Sequence, residues 1–321
     1  MLQFIKTWTL PLAMITGVIG YFILANISLF ASAKPSINSL ITFLTPTLIF
    51  LQLLLTFCKI NPKELLPQTW HIWLILIQIL FSGIISAIII SIPMLLSYKI
   101  MLEGMMICFI CPTATAAAVV TAKLGGNASS LTTYTLLSNI MAAILVPLMF
   151  PLVESHAGLT FWATFMKILS KVLPLLLAPF VVAMILRQFS KKLYIFFGGH
   201  SGMAFYIWAI ALTIVMGQST RSIVLCTEPI GIIFLISLGG LIACTLQFFL
   251  GKKIGTIYND RISAGQALGQ KNTVLAIWMA CTYLNPISSI AAGSYIVWQN
   301  IFNSWQIYKM KKNDRSTRSF R

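Results

Sequence analysis

Apolar residues recur along this chain in windows of about 20, each long enough as a helix to cross a hydrocarbon core of roughly 30 Å, with short polar or basic stretches between them. The windows predict helices near 8–30, 37–57, 71–97, 101–123 and 127–151, then 162–187, 199–217, 229–250, 262–284 and 286–308. The seventh is the least regular, because Gly198, Gly199, His200 and Gly202 interrupt its start. The stretch before Lys171 in the sixth suits an interfacial helix as well as a spanning one. Lys6, an apolar run and Ala31-Ser32-Ala33 imitate a cleavable leader. The run from Trp8 to Phe30, however, exceeds the usual apolar core of about 7 to 15 residues and reads as the first helix. No stretch remains that would fold in water, so the expectation is one membrane domain over 1–311 and a basic tail over 312–321.

Two halves, about 8–153 and 162–309, each hold five windows with a conspicuously polar fourth member. Five is odd, so the halves would be inverted in the membrane. Many secondary transporters have this layout, with sites formed where discontinuous helices meet.

Composition agrees. The chain is 58% hydrophobic and 9% charged, against roughly a quarter charged in soluble proteins. The net charge of +16 does not form one basic face, which argues against a nucleic-acid partner and turns the basic residues into a topology signal. With ten spans both termini share a side, and Lys309, Lys311, Lys312, Arg315, Arg318 and Arg321 place it in the cytoplasm of an inner-membrane, multi-pass protein. Lys59, Lys63, Lys123, Arg187, Lys191, Lys192, Lys252, Lys253 and Arg261 fall on that side. Lys34, Lys99, Lys167, Lys171 and Arg221 fall opposite. Cys108 and Cys111 form a C-x-x-C with no His or carboxylate beside them, so they read as free thiols.

The fourth window contains Cys111-Pro112-Thr113-Ala114-Thr115, and proline at mid-membrane removes a helical hydrogen bond and strands carbonyls. A simple kink with Thr hydroxyls on those carbonyls is the plainer reading of this helix alone. The ninth window carries Gly265-Gln266-Ala267-Leu268-Gly269-Gln270-Lys271-Asn272-Thr273. An ammonium at a helix centre costs about 2.5 to 3.5 kcal/mol on insertion scales, so Lys271 needs a partner or must snorkel. The six carboxylates, Glu64, Glu103, Glu154, Glu228, Asp260 and Asp314, all fall in loops or at window ends. Carbonyl oxygens, helix C-terminal dipoles or an anionic substrate are then left to neutralise Lys271. Paired intramembrane aspartates, H-E-x-x-H and acidic magnesium clusters are absent, and His71, His156 and His200 are the only histidines, which disfavours an enzyme.

Cys111-Pro112 followed by Thr115, Gly126-Asn127 leading into a polar fifth window, Gly269-x-x-Asn272-Thr273, and Trp298-Gln299-Asn300 together resemble the signatures of the bile acid:sodium symporter family over nearly the full length. The resemblance implies an all-α membrane protein of about ten transmembrane helices as two inverted five-helix repeats. Helices 4 and 9 would be broken and crossing, with a core domain facing a panel of spans 1, 2, 6 and 7. It implies substrate binding at Thr113, Thr115, Lys271, Asn272 and Asn300, and an ion or ion-replacement site at Lys271, Gln270, Thr273, Thr135 and Gln78. For Gln78 a plain interhelical hydrogen bond is an equal alternative.

The departures bear on coupling. Sodium-using members have a Ser-Asn pair where this chain has Ala117 and Ala118, a Glu where it has Ala267 or Gln266, and a sodium-coordinating Gln at Lys271. At about 4 Å and an effective dielectric near 20, two unit positive charges repel by roughly 4 kcal/mol. The expectation is a secondary active transporter of a small organic anion, bile-acid-like or another carboxylate or sulfate, in which Lys271 replaces a bound cation. A variant has Lys271 titrate and couple transport to protons. The alternatives are a sodium symporter with displaced ligands and, from another class, a channel or membrane receptor. No cofactor is expected; the coupling ion is sodium, proton or none. The expected partners are the anion and membrane lipids.

Overall fold

The computed structural model describes residues 2–27, 32, 34–60, 62–92, 98–154, 158–199 and 201–319. The 28–30 end of the first window, Ala31 and Ala33 of the cleavage-like motif, the 93–97 end of the third window, His156, His200 and Arg321 of the tail lie outside the described residues. The helices are α1 (Leu2–Asn26), α2 (Lys34–Phe57), α3 (Thr69–Ser91), α4 (Lys99–Ile110), α5 (Ala117–Lys123), α6 (Ala128–Val153), α7 (Phe161–Phe189), α8 (Lys191–Gly199), α9 (Ser201–Val224), α10 (Ile230–Ile257), α11 (Arg261–Gly269), α12 (Thr273–Tyr283) and α13 (Ser289–Ser319). Each predicted window falls on one helix or, for the fourth and ninth, on a pair. The expected irregularity of the seventh is a break between α8 and α9. The stretch before Lys171 belongs to the continuous α7, and α13 runs on through the tail to Ser319.

Local chemistry sets the boundaries. Asn127 starts α6 by accepting a bond from Ser130 N at 3.0 Å, and Thr160 starts α7 by accepting from Ala163 N at 3.3 Å. Gly125, at φ 77°, makes the turn from α5 to α6 that a residue with a Cβ resists. Among the described residues six helices are long and apolar enough to cross a membrane: α2, α3, α6, α7, α9 and α10. The halves of the broken helices fall short individually because each is only 7 to 12 residues long.

Burial is distributed for an apolar solvent. Ile230 is 85% and Phe189 79% exposed, while Gln78, Gln247, Ser138 and Asn139 are 0% exposed. Water would reverse that order; lipid rewards it. The protein is an integral, multi-pass membrane protein.

Two groups of helices emerge from the packing. In one, α9 packs on α1 and α2, and α2 on α7 and α8. In the other, α10 packs on α4, α11 and α13, α3 on α4 and α6, α5 on α6, and α12 on α13. The groups meet where α6 packs on α7, where α12 touches α2 and α9, where α9 meets α13 and the turn after α12, and where Gln52 of α2 reaches Thr115. Pairings recur across the halves: α1 on α9 matches α7 on α2, α3 on α6 matches α10 on α13, and α5 on α6 matches α12 on α13.

Small residues bring α10 close to α11, since a Cβ at Gly251 would meet the Ala264 carbonyl oxygen at 2.5 Å. Gly251→Val is therefore expected to lower stability by about 1 to 3 kcal/mol through overpacking. Gly83→Ala, whose Cβ meets nothing within 4 Å, should leave it unchanged or raised. Thermal unfolding of the purified protein in detergent checks both, and equal losses would disprove the close approach.

Candidate functional site

Pro112 cannot donate a backbone bond, and α4 ends two residues before it at Ile110. The chain then runs extended through Thr113 and turns at Thr115–Ala116, with Ala117 N donating to Ala114 O at 3.0 Å, into α5, which begins at Ala117. In the other half α11 ends at Gly269 and α12 begins at Thr273, with Asn272 accepting from Leu275 N at 3.3 Å as its cap. The two extended breaks cross antiparallel with Thr113 opposite Lys271. Ala114 N donates to Gln270 O and Asn272 N to Pro112 O, both at 2.9 Å. Side chains fasten the crossing further. Thr113 Oγ1 donates to Ala267 O at 2.7 Å, Ser138 Oγ accepts from Thr113 N at 3.1 Å, and Cys111 Sγ donates to Asn272 O at 2.9 Å.

The C-terminal end of α4 is the electronegative end of a half-helix, with carbonyls that have no intrahelical donor. Those of Cys108, Phe109 and Cys111 are met by polar side chains. Gln247 Nε2 of α10 donates to Cys108 O at 3.1 Å, and Gln78 Nε2 of α3 donates to Phe109 O at 2.9 Å and Cys111 O at 3.3 Å. Lys271 Nζ donates to the same Phe109 O at 3.2 Å. Lys271 is 1% exposed, so it does not snorkel. Its backbone N–H donates to Gln299 Oε1 at 3.0 Å, which ties α13 to the break. Behind the glutamines stand two tyrosines. Tyr134 OH donates to Gln78 Oε1 at 2.7 Å, and Tyr295 OH donates to Gly269 O at 2.8 Å while accepting from Gln247 Nε2 at 3.2 Å.

Carboxylates lie elsewhere. Lys99 pairs with Glu103 and with Glu154 at the opposite end of α4 from the crossing. Glu103, expected at a span end, lies in the second turn of α4, is 0% exposed and accepts from Asn285 N at 3.2 Å.

A pair of half-helices crossing at buried extended breaks, inside a polytopic bundle, is a transporter's arrangement. The profile of the SBF-like CPA transporter family (DUF4137) matches residues 13–309. The chain belongs to the SBF-like CPA transporter family. This family is related to the bile acid:sodium symporters that the motifs resemble, and its members are transporters and not enzymes. No curated protein matches the chain.

In this SBF-like chain the sequence candidates divide by position. Thr113, Gln270, Lys271, Asn272 and Thr273 all sit at the crossing, each 5% exposed or less. Thr115 is half-buried at its edge and its Oγ1 accepts from Gln52 Nε2 of α2 at 3.0 Å, a contact between the two helix groups. Thr135 bonds back to Leu131 O at 3.0 Å and gives its own carbonyl to Ser138 Oγ at 3.0 Å, one step from Thr113. Asn300 bonds to Ile296 O in its own helix at 2.7 Å; the neighbouring Gln299 is the α13 residue that reaches Lys271. Gln247, Tyr134 and Tyr295 were not among the candidates. An amide alone in the apolar run of α10 carries the same cost signal as Lys271. The tyrosines gave none.

The Tyr134–Gln78 bond is fully buried. Tyr134→Phe leaves Gln78 Oε1 without that donor and is expected to cost about 1 kcal/mol. A double-mutant cycle with Gln78→Leu should give a coupling of about 0.5 to 2 kcal/mol, read from unfolding in mixed micelles. Additive effects would show that the pair does not support the α4 end.

Proposed function

We propose that this protein is a secondary active transporter of a small organic anion, bile-acid-like or another carboxylate or sulfate. It would work by alternating access, with the Lys271 ammonium taking the place of a bound coupling cation. The observation that carries this reading is Lys271 Nζ on the Phe109 carbonyl at the end of α4, buried, with no ion-pair partner among the described residues. Carbonyls at the ends of discontinuous helices are the ligands transporters give to coupling ions. Here a covalently attached cation occupies one of them, and Gln78 and Gln247 take its neighbours. Ala117 and Ala118 offer no side-chain oxygen where sodium-using members carry Ser and Asn. A sodium ion would have to displace these donors and sit beside a fixed positive charge. That weighs against the sodium symporter with displaced ligands.

On this reading the halves are inverted repeats of five spans each, supported by the matched helix pairings across the halves. The group containing α1, α2, α7 and α9 acts as the panel and the group around the crossing as the core. Substrate meets Thr113, Thr115, Asn272 and Asn300 along the face where Gln52 reaches Thr115, and Gln270, Thr273, Thr135 and Gln78 support Lys271. Both termini lie in the cytoplasm of a cell membrane, in keeping with the clustering of Lys252 and Lys309 around the Trp305 ring at 5.9 and 5.4 Å.

The test is a thermal-shift screen of organic acids, followed by counterflow in proteoliposomes with sodium or choline and across neutral pH. Wild-type transport is expected to be indifferent to the cation and to pH. Lys271→Gln should lose about tenfold or more in transport, or acquire a need for sodium, as fits loss of a buried charge-assisted contact. Strict sodium dependence of the wild type would overturn the proposal, and pH-driven uptake lost in Lys271→Gln would replace it with proton coupling.

A further inference from the structure

Two neighbouring cavities lie away from the crossing, where α1 and α9 end and α2 begins. The larger, about 530 Å³, is an open cleft bordered by α1, α2 and α9, with Leu24, Ile41 and Ile214 on its walls and Lys34, Gln218 and Arg221 also lining it. The second, about 440 Å³, lies between α9 and the turn after α12 and shares Gln218 and Arg221 with the first. Arg221 therefore faces both the α1–α2–α9 group and the group that carries the crossing. No residue of the crossing lines either cavity.

The charges here differ from those nearby on the same side. Lys99 has two carboxylates, whereas Lys34 and Arg221 have no ion-pair partner among the described residues. Lys34 Nζ makes one bond, to Ala25 O at 3.0 Å, leaving other N–H groups to donate. Gln218 has a buried amide oxygen with no partner among the described residues. Since the two ends of an amide can exchange places, this group can present either a donor or an acceptor to the cavity. Gly17 and Gly20 shape the space. A Cβ at Gly17 would strike α9 at Met216 Cβ, 2.8 Å away, while one at Gly20 would meet nothing within 4 Å and project into room. The size suits a small amphipathic ligand.

We propose that this cleft binds an amphipathic anion, with its carboxylate, sulfate or phosphate against Arg221 and Lys34 and its apolar body along Leu24, Ile41 and Ile214. The site is separate from the crossing and does not depend on what the crossing carries.

The test uses the full chain purified in a neutral maltoside detergent. Binding of radiolabelled dodecanoate is measured by scintillation proximity with dodecanol as the uncharged control, and retention of phosphatidylglycerol is measured by native mass spectrometry. At least one of the two anions should bind saturably and, in the free-anion arm, about tenfold or more tighter than dodecanol. Phosphatidylglycerol alone would identify a lipid headgroup as occupant, and dodecanoate alone a free anion; both results support the site. Arg221→Gln should weaken binding about tenfold. Gly20→Leu, whose Cβ meets nothing within 4 Å and whose side chain would fill the cavity, should block it with the unfolding temperature preserved. The component of binding that Arg221→Gln weakens should persist in Lys271→Gln, which separates this cleft from the crossing. Four results overturn the proposal: neither anion binding, dodecanol binding as tightly as dodecanoate, anion binding indifferent to both Arg221→Gln and Gly20→Leu, or loss only in Lys271→Gln.

Discussion

A helix that stops inside a bilayer leaves carbonyl groups with no water to bond, and each unsatisfied group there costs several kcal/mol. α4 stops at Ile110 and its last carbonyls point into the centre of the protein. Much of the polar inventory of the surrounding helices is spent on that end: Gln247 on Cys108, Gln78 on Phe109 and Cys111, and Lys271 on Phe109. The antiparallel pairing of residues 112–114 with 270–272 satisfies the backbone that follows. Without these donors the break at Pro112 would be no stable structure in lipid, and no crossing would exist to carry a charge.

The same constraint explains why the charge can be a lysine. The end of a half-helix presents partial negative charge without a carboxylate, and the Lys271 side chain donates to that end through Phe109 O. The acidic residues are kept apart from it, with Glu103 and Glu154 paired to Lys99 at the other end of α4. A carboxylate at the crossing would neutralise Lys271. A carbonyl anchors it without a counter-charge. The tyrosines behind the glutamines fix which amide face meets the helix end, so geometry at the crossing depends on α6 and α13 as well as on the broken helices.

Much of the fold was legible because hydropathy is what the bilayer selects on. Ten apolar windows map onto the helices, and Pro112 and the polar run around Lys271 marked both breaks. The site was legible where cost showed in the sequence: Thr113, Lys271 and Asn272 are polar groups in apolar windows, and they lie together. Gln247 carried the same signal but stood alone among apolar neighbours, with no motif to draw attention to it. Tyr134 and Tyr295 were invisible because a tyrosine in a membrane helix is amphipathic and fits many places, and its hydroxyl partner is set by a helix far away in sequence. Gln299 was quoted for its motif, yet Asn300 beside it carried the expectation. One residue along a helix is a rotation of about 100°, and only packing decides which faces the crossing.

The sequence by itself determined that this chain lives in lipid, where its helices run, which two are interrupted, and that a lysine without a nearby carboxylate sits in one interruption. These follow from composition and local stereochemistry, which act over one helix at a time. The tertiary structure decided what Lys271 touches, that Thr113 lies opposite it across the chain, that Gln78 and Gln247 share the end of α4, and that Arg221 and Lys34 line a cleft elsewhere. Those facts join residues separated by scores of positions, and they are fixed by how helices approach one another, a property that no single segment contains.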